Sequence, residues 1–205
     1  DYTGPFGPYG IPLETGQRGF WLWANQSGGI GDYSVAIVEG YDTQYNPQKH
    51  LEGYKAQRGE VAELAMSLGT PQTQFILDDM DADNMIAAPM SWYSGWSYKG
   101  SDRGLVVEFG SSYCADGMNA LDWAMANLPV DIKTVGVMGY AGDYGGDYAA
   151  GVTAAAEANG ITVAWEYIVP SSEFDVAQAV GLMVTNPVDA YFPAIGPGFM
   201  AQVAG

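Results

Sequence analysis

The sequence is poor in the side chains that most enzyme chemistry uses. It holds one cysteine, Cys114, and one histidine, His50. No metal site with ligand spacing can be assembled from them, and no metal or other cofactor is expected. A lone cysteine reads as a buried small apolar residue, or as half of a disulfide whose partner lies outside this chain. Positive charge is scarce as well: 7 Lys+Arg stand against 24 Asp+Glu, a net charge of -17. The cations Arg18, Lys49, Lys55, Arg58, Lys99, Arg103 and Lys133 are scattered. A polyanion is therefore repelled, and nucleic acid is excluded as a partner. The acidity reads as a solvated surface suited to a salty or extracellular setting. No apolar run is long enough to span a bilayer. No basic, apolar leader opens the chain.

Candidates for catalysis are equally thin. Ser111 and Ser112 have no nucleophile-elbow context. His50 falls on a predicted surface helix beside Lys49 and Glu52 and reads as solvated. Asp78 and Asp79 fall on a helix flank and read as solvent-facing. No catalytic residue is assigned, and the chain is not expected to be an enzyme.

What is present is a core. Apolar residues make up 48% of 205, enough for one large domain or two smaller lobes. The pattern alternates. Residues 11–26 carry Leu13, Phe20, Trp21 and Trp23 near helical spacing, and Gly28-Gly29 ends the run. Residues 33–42 are strand-like. Asn46 and Pro47 open a helix over 46–57 as cap and first helical residue. A strand is predicted over 61–66, and a helix over 70–83 with Thr70 as cap and Pro71 leading. Strands at 84–89, 104–110, 132–140, 161–169 and 188–194 alternate with helices at 111–128, 146–159 and 172–186, and a last helix begins after 196. Gly160 stops the helix before it. Such alternation implies parallel strands covered by helices, with ligands outside the carboxyl ends of the strands. "NLPVDIK" (127–133) is the best candidate for a lobe boundary. The opening "DYTGPFGPYG" reads as a loop lacking the strand before it, and the close as a helix just starting, so the chain reads as a fragment.

The loops carry the functional signal. "VGVMGYAGDYGGDYAAG" (135–151) has glycines at 136, 139, 142, 145, 146 and 151 but no G-x-G pair and no G-K-[ST], so neither nucleotide fingerprint is met. Asp143 and Asp147 in the turn would oppose a phosphate at the helix start. The turn reads as a plain glycine-rich connection, or as one that presents Tyr144 to a small ligand. "MSLGTPQTQ" (66–74) leaves a strand and enters a helix with small and hydroxyl residues, a seat for a carboxylate or an ordinary cap. "APMSWYSGWSY" (88–98) brings Trp92, Tyr93, Trp96 and Tyr98 among serines. Apolar walls with a few placed polar groups describe a small-molecule pocket, although at least two of these rings are expected to be structural.

Taken in order, "TGPFGPYG", "NQSGGIG", "GYD", "MSLGTPQTQ" and "YAGDYGGDYAAG" resemble the type I periplasmic-binding-protein superfamily, and within it the substrate-binding proteins of branched-chain amino acid ABC transporters. The likeness runs along essentially the whole chain. It implies a two-lobed α/β protein with parallel sheets flanked by helices in three layers, truncated at both ends. Residues 1–129 would be the first lobe without its first strand, and 130–205 the start of the second. It implies a solute receptor, periplasmic or extracellular, with a lipid anchor as one means of retention. The ligand would be an amino acid, branched-chain or related, delivered to a membrane permease. By the resemblance, Tyr9 would flank the ligand, and Gly69, Thr70, Pro71 and Gln72 would receive its carboxylate. Ser91 and Trp92 would supply further contacts, and Tyr144 would reach it from the second lobe. The loop from Ile195 to Phe199 would also face the cleft. Gly69 stands where the family commonly has serine, which shifts weight to backbone N–H groups and Thr70. Trp92 is bulkier than the residue usual in leucine binders. Three other readings stay open: a sensor ectodomain of the same fold, a urea or amide binder, and a nucleotide-dependent α/β enzyme. The last needs a cationic pocket, which the sequence does not offer.

Overall fold

A computed structural model describes residues 1–98 and 100–205; Lys99 lies outside the described residues. Contacts divide the chain into two compact units, Asp1–Met90 with Arg103–Val107, and Ser91–Asp102 with Glu108–Gly205. The architecture is α/β, with parallel strands flanked by helices.

In the first unit, helix α1 spans Gly7–Gln26, starting earlier than predicted because Pro8 fits its first turn. Helix α2 covers Pro47–Gln57, and the Asn46 side chain accepts the Lys49 N–H at 3.0 Å, the cap its sequence predicts. The predicted helix over 70–83 is two short helices, α3 (Thr70–Phe75) and α4 (Leu77–Asp83), broken at Ile76. Its cap is Gly69 rather than Thr70, with φ 100° and ψ 141°. The three predicted strands here are reduced to parallel bridges, Leu64 to Ala87, Leu68 to Met90 and Ala87 to Val106. Segment 33–42 joins no ladder among the described residues. Helix side chains take its backbone groups instead. Asn25 bonds both the N–H and C=O of Val35, and Arg18 donates to the carbonyls of Ile37 and Val38. A strand needs a neighbouring backbone, and periodicity alone cannot supply one. Tyr54, Ile76, Met80, Met85 and Ala87 form the core of this unit.

The second unit follows the sequence pattern closely. A 3-10 turn (Ser94–Ser97) precedes α5 (Tyr113–Asn127), capped by the Ser112 hydroxyl. Strands β1 (Thr134–Tyr140), β2 (Thr162–Val169) and β3 (Ala190–Ala194) form a parallel sheet in the order β2-β1-β3. Helix α6 (Asp143–Asn159) crosses from β1 to β2, α7 (Val176–Thr185) crosses from β2 to β3, and α8 (Pro197–Ala204) follows. β1 is buried along six of its seven residues, as a central parallel strand must be. Gly160 ends α6 in the left-handed conformation at φ 68°. By contact the units divide away from residue 129, because α5 packs along α6 and joins the β1 core through Leu121. Two glycines permit that packing. A Cβ on Gly151 would sit 1.9 Å from the Cys114 carbonyl oxygen, and one on Gly117 would sit 2.3 Å from that of Tyr148.

Candidate functional site

The sheet order β2-β1-β3 places a topological switch at the carboxyl ends of β1 and β3, since one connection leaves β1 to one side and the next returns to the other. A crevice opens at such a point in parallel sheets, and ligands bind there. Tyr140 is the last residue of β1. Its hydroxyl accepts the Gly196 N–H at 2.9 Å, tying the end of β1 to the loop after β3. Tyr144, in the first turn of α6, packs its ring on Tyr140 at 6.4 Å between centroids. Tyr113, at the start of α5, meets Tyr144 edge to face at 5.0 Å. Trp92 meets Tyr113 at 6.1 Å and Phe109 at 5.3 Å. Phe174 and Phe199 close on Tyr140 from the other side, at 5.7 and 6.3 Å.

The glycines of the 139–146 turn serve approach and direction. Gly142 adopts φ 101° to turn the chain into α6. A Cβ on Gly145 would lie 2.2 Å from the Tyr140 carbonyl oxygen, so only glycine lets α6 start this close to β1. Asp147 is not aimed at a ligand. Its carboxylate accepts the Ser94 N–H at 2.9 Å, the Ser94 hydroxyl at 2.5 Å and the Cys114 N–H at 3.2 Å. It thereby anchors the aromatic loop and the start of α5 to α6. Asp147→Ala is expected to cost about 1.5–3 kcal/mol of stability in denaturant unfolding, the range for a hydrogen-bonded charged group. Asp147→Asn, which keeps the acceptor oxygen, should cost visibly less.

Of the loop aromatics, Trp96 is structural: it is 2% exposed, and its indole N–H donates to the Ser91 hydroxyl at 2.9 Å. Tyr98 is 62% exposed. Trp92 is half-buried, and Ser91 is buried beneath the loop.

In the first unit, Tyr9 lies on the first turn of α1 rather than in a loop, stacked on Phe6 at 6.3 Å. Phe6 packs on Tyr45, whose carbonyl accepts the Gln72 amide at 2.8 Å. Tyr9 and the 69–72 turn therefore share one aromatic–amide chain. Thr70 and Gln72 are each 1% exposed, and Pro71 is at the surface. Gly69 is favoured by its positive φ of 100°, a conformation L side chains rarely adopt; a Cβ there would also meet Gln72 Oε1 at 2.2 Å, a contact the flexible Gln72 side chain can relieve. Gln72 Oε1 is buried without a hydrogen-bond partner among the described residues.

His50 differs from its expected solvated place. It lies against a cavity of about 260 Å³ in the first unit, lined among others by Val35, Ile37, Thr43, Leu64 and Ser67. Its Nε2 is 3.0 Å from the Ser67 hydroxyl, which contacts the Thr73 hydroxyl at 2.7 Å, and Nδ1 is buried without a hydrogen-bond partner among the described residues. Burial pulls its pKa down to about 4. Helical spacing alone put this residue beside Lys49 and Glu52, but α2 turns it inward under 61–68. None of the residues expected to hold a ligand lines this cavity. Cys114 is half-buried and unbridged, and burial raises its thiol pKa. Asp78 pairs with Arg103 at 2.5 Å on the surface. Among the described residues no cluster of His, Cys, Asp or Glu is suited to a metal, and no helix is long and apolar enough to cross a membrane.

The sequence offers Tyr9, Gly69, Thr70, Pro71, Gln72, Ser91, Trp92 and Tyr144 as candidates; it does not single out Tyr113, Tyr140 and Phe174, which pack with Tyr144 in one ring series, or the anchoring of Ser94 by Asp147. The available signal was Tyr140 as the final residue of an apolar strand.

Parallel strands that end in ring-bearing loops place candidate ligand contacts at the carboxyl ends of the sheet. The chain belongs to the periplasmic binding protein family, whose profile, described as "Periplasmic binding protein", matches residues 1–205. Comparison with curated proteins gives no significant match. Among solved structures, a fatty acid ABC transporter substrate-binding protein from Thermomonospora curvata is 27% identical with a TM-score of 0.86, over 100% of this chain and 51% of that one. A branched chain amino acid ABC transporter protein from Thermus thermophilus with bound valine is 15% identical with a TM-score of 0.81, over 98% and 52%. A solute binding protein of an ABC transporter from Rhodopseudomonas palustris BisB5, in complex with 3,4-dihydroxy benzoic acid, is 19% identical with a TM-score of 0.82, over 99% and 55%. The chain thus spans about half the length of these structures. The latter two likenesses are of fold alone.

Proposed function

We propose that this chain belongs to an extracytoplasmic solute-binding component of an ABC transporter. It captures an amino acid or related small acid with an apolar body and delivers it to a membrane permease. The observation that carries this reading is the family match along all 205 residues; the ring contacts of Tyr144 with Tyr113 and Tyr140 at the carboxyl end of β1 support it. Support for the ligand class comes from the solved structures: a fatty acid transporter protein, a valine complex and a dihydroxybenzoic acid complex share a carboxylate and an apolar body. By the family likeness, residues 69–72 would meet the carboxylate, with the Thr70 and Gln72 N–H groups as its donors, and Tyr9, Ser91, Trp92 and Tyr144 are the further contact candidates. The two compact units are parts of two lobes, and ligand shifts an open population toward a closed one by its difference in affinity for the two.

The test is a thermal-shift screen of the full-length protein against amino acids, small amides, aromatic acids and nucleotides. Ligand that binds only the native state raises Tm by mass action. Amino acids or related acids should raise it. A rise with nucleotides alone would overturn the proposal. With a ligand in hand, Tyr144→Ala is expected to weaken binding about 30-fold, as loss of a central aromatic anchor does. The ligand-free protein should stay folded, with Tm lowered by a few degrees for the lost contacts with Tyr113 and Tyr140.

A further inference from the structure

The cavity beside His50 is lined by two stretches of backbone, 35–41 and 60–68, and by two helices. α1 lines it with Gln17 and Trp21, and α2 with His50 and Tyr54. The two stretches run the same way, because the residues just beyond them meet: the Tyr45 carbonyl accepts the Gln72 amide at 2.8 Å. Stretch 60–68 pairs along one edge. The Leu64 N–H donates to the Ile86 carbonyl and the Leu64 carbonyl accepts the Ala88 N–H, both at 3.0 Å. Successive residues of a strand face opposite edges, so Ala65 offers its groups to the other one. There its carbonyl accepts only the Gln17 side chain, at 2.6 Å, and its N–H has no partner among the described residues. Across the cavity the carbonyls of Ile37, Val38 and Glu39 accept Arg18 and Gln57 side chains, and the Ile37 N–H likewise has no partner among the described residues. Val38 and Tyr41 stay 39% and 42% exposed on this stretch. Two backbones with unpaired groups, set along helices, bound a slot of the shape that a parallel strand fills.

Asp1 lines the same slot, and the Tyr2 N–H donates to Asp42 at 2.8 Å, so the chain leaves the slot at the end where 35–41 finishes. Asp1 is 5% exposed, and burial lowers the pKa of its α-amino group. A charge is costly in such a place, whereas a peptide N–H at that atom carries none. The chain spans about half the length of its solved relatives, which leaves residues to supply the strand.

We infer that a β-strand of about six or seven residues, the segment immediately before Asp1 in the full-length protein, occupies this slot and pairs in parallel with 35–41 on one side and 61–68 on the other. Its side chains are apolar on both faces, as helices along the slot require. α1 then leads from this strand to 35–41, and α2 leads on to 61–68 at its other edge. The strand is thus the switch point of the first unit, and its carboxyl end opens on the segment that carries Tyr9 and on Gly69.

The test is amide hydrogen exchange of the ligand-free full-length protein, read by mass spectrometry over 35–41 and 61–68. Both should exchange at least about 100-fold more slowly than an unfolded chain, as paired strands do. Exchange at near-unfolded rates would overturn the inference and leave the slot to solvent or a small apolar molecule. Proline at the third, and separately at the fourth, residue before Asp1 identifies the occupant. Adjacent N–H groups of a strand point to opposite neighbours, so one substitution should speed exchange mainly in 35–41 and the other mainly in 61–68. The expected change is about 2- to 10-fold, the range for one lost hydrogen bond, and strand β1 is the unchanged control. Slow exchange that neither proline alters, or that depends on protein concentration as pairing with a second copy would, refutes the assignment. Where proline prevents folding, aspartate at the same positions keeps the N–H but brings a charge into the slot, and should lower Tm by about 5 °C or more. An unchanged Tm in both aspartate variants refutes the inference equally. The receptor reading is untouched by any of these results, since no ligand enters the measurement.

Discussion

Gly151→Val is expected to lower Tm by about 10 °C or more and to remove most cooperative unfolding of the second unit. The added Cβ would lie 1.9 Å from the Cys114 carbonyl oxygen and 2.8 Å from its carbon, both backbone atoms that no rotamer change can move. α5 must then separate from α6. That opens the core around Leu121 and Val152, both fully buried. Overpacking of a core usually costs about 1–3 kcal/mol, and a backbone clash of this depth belongs at or above the top of that range. Gly146→Ala is the control. It sits on the same helix, but its Cβ position has nothing within 4 Å. There alanine should be neutral or stabilising by up to about 1 kcal/mol, since it restricts the unfolded chain and favours helix. Circular-dichroism melts of the two variants separate the explanations. If both behave alike, helix propensity decides and close approach does not.

The second large effect is on acid stability. His50 in an unfolded chain titrates near 6.5, and in the folded protein near 4. Between those values the unfolded state binds a proton that the folded state refuses. Stability therefore falls as pH drops from about 6.5 to about 4, and this contribution is flat above and below that window. At about 1.4 kcal/mol per pH unit, the loss from pH 7 to pH 4.5 amounts to about 2 kcal/mol. The carboxylates act in a lower window. Asp42, held down to about 2 by hydrogen bonds from Thr3 and the Tyr2 N–H, contributes stability above its unfolded value of 3.8 and loses it as pH falls toward 2. The two regimes are thus separable. His50→Gln should flatten the stability curve between pH 6.5 and 4.5 and leave the steeper loss below pH 4 intact. A variant curve that still falls as steeply above pH 4.5 would place the sensitivity elsewhere.

Much of the fold was legible because local rules decide it. Asn46 caps α2, Gly160 stops α6, and the apolar run 132–140 became the central strand β1. The alternation of elements held through the second unit, where each strand has a neighbour. It failed at 33–42, where the pattern was right for a strand but helix side chains took the backbone groups. It was also too coarse at 70–83, which breaks at Ile76. The turn 139–146 carries no phosphate-loop fingerprint in its sequence, and the structure supplies a reason for one of its glycines in the contact of Gly145 with the end of β1.

From the sequence alone came the class of element at most positions, the absence of metal-ligand spacing, and the order of loops that marks the family. Those depend on residue spacing, backbone freedom and side-chain chemistry, all local to the chain. The tertiary structure alone decided that His50 faces inward, that α5 and α6 touch through Gly117 and Gly151, and that Asp147 holds the aromatic loop. It also gathered Trp92, Tyr113, Tyr144 and Tyr140 into one edge-to-face series. Their meeting depends on β3 returning beside β1 and on α5 lying along α6, and contacts between residues so far apart in sequence exist only once the crossovers have closed.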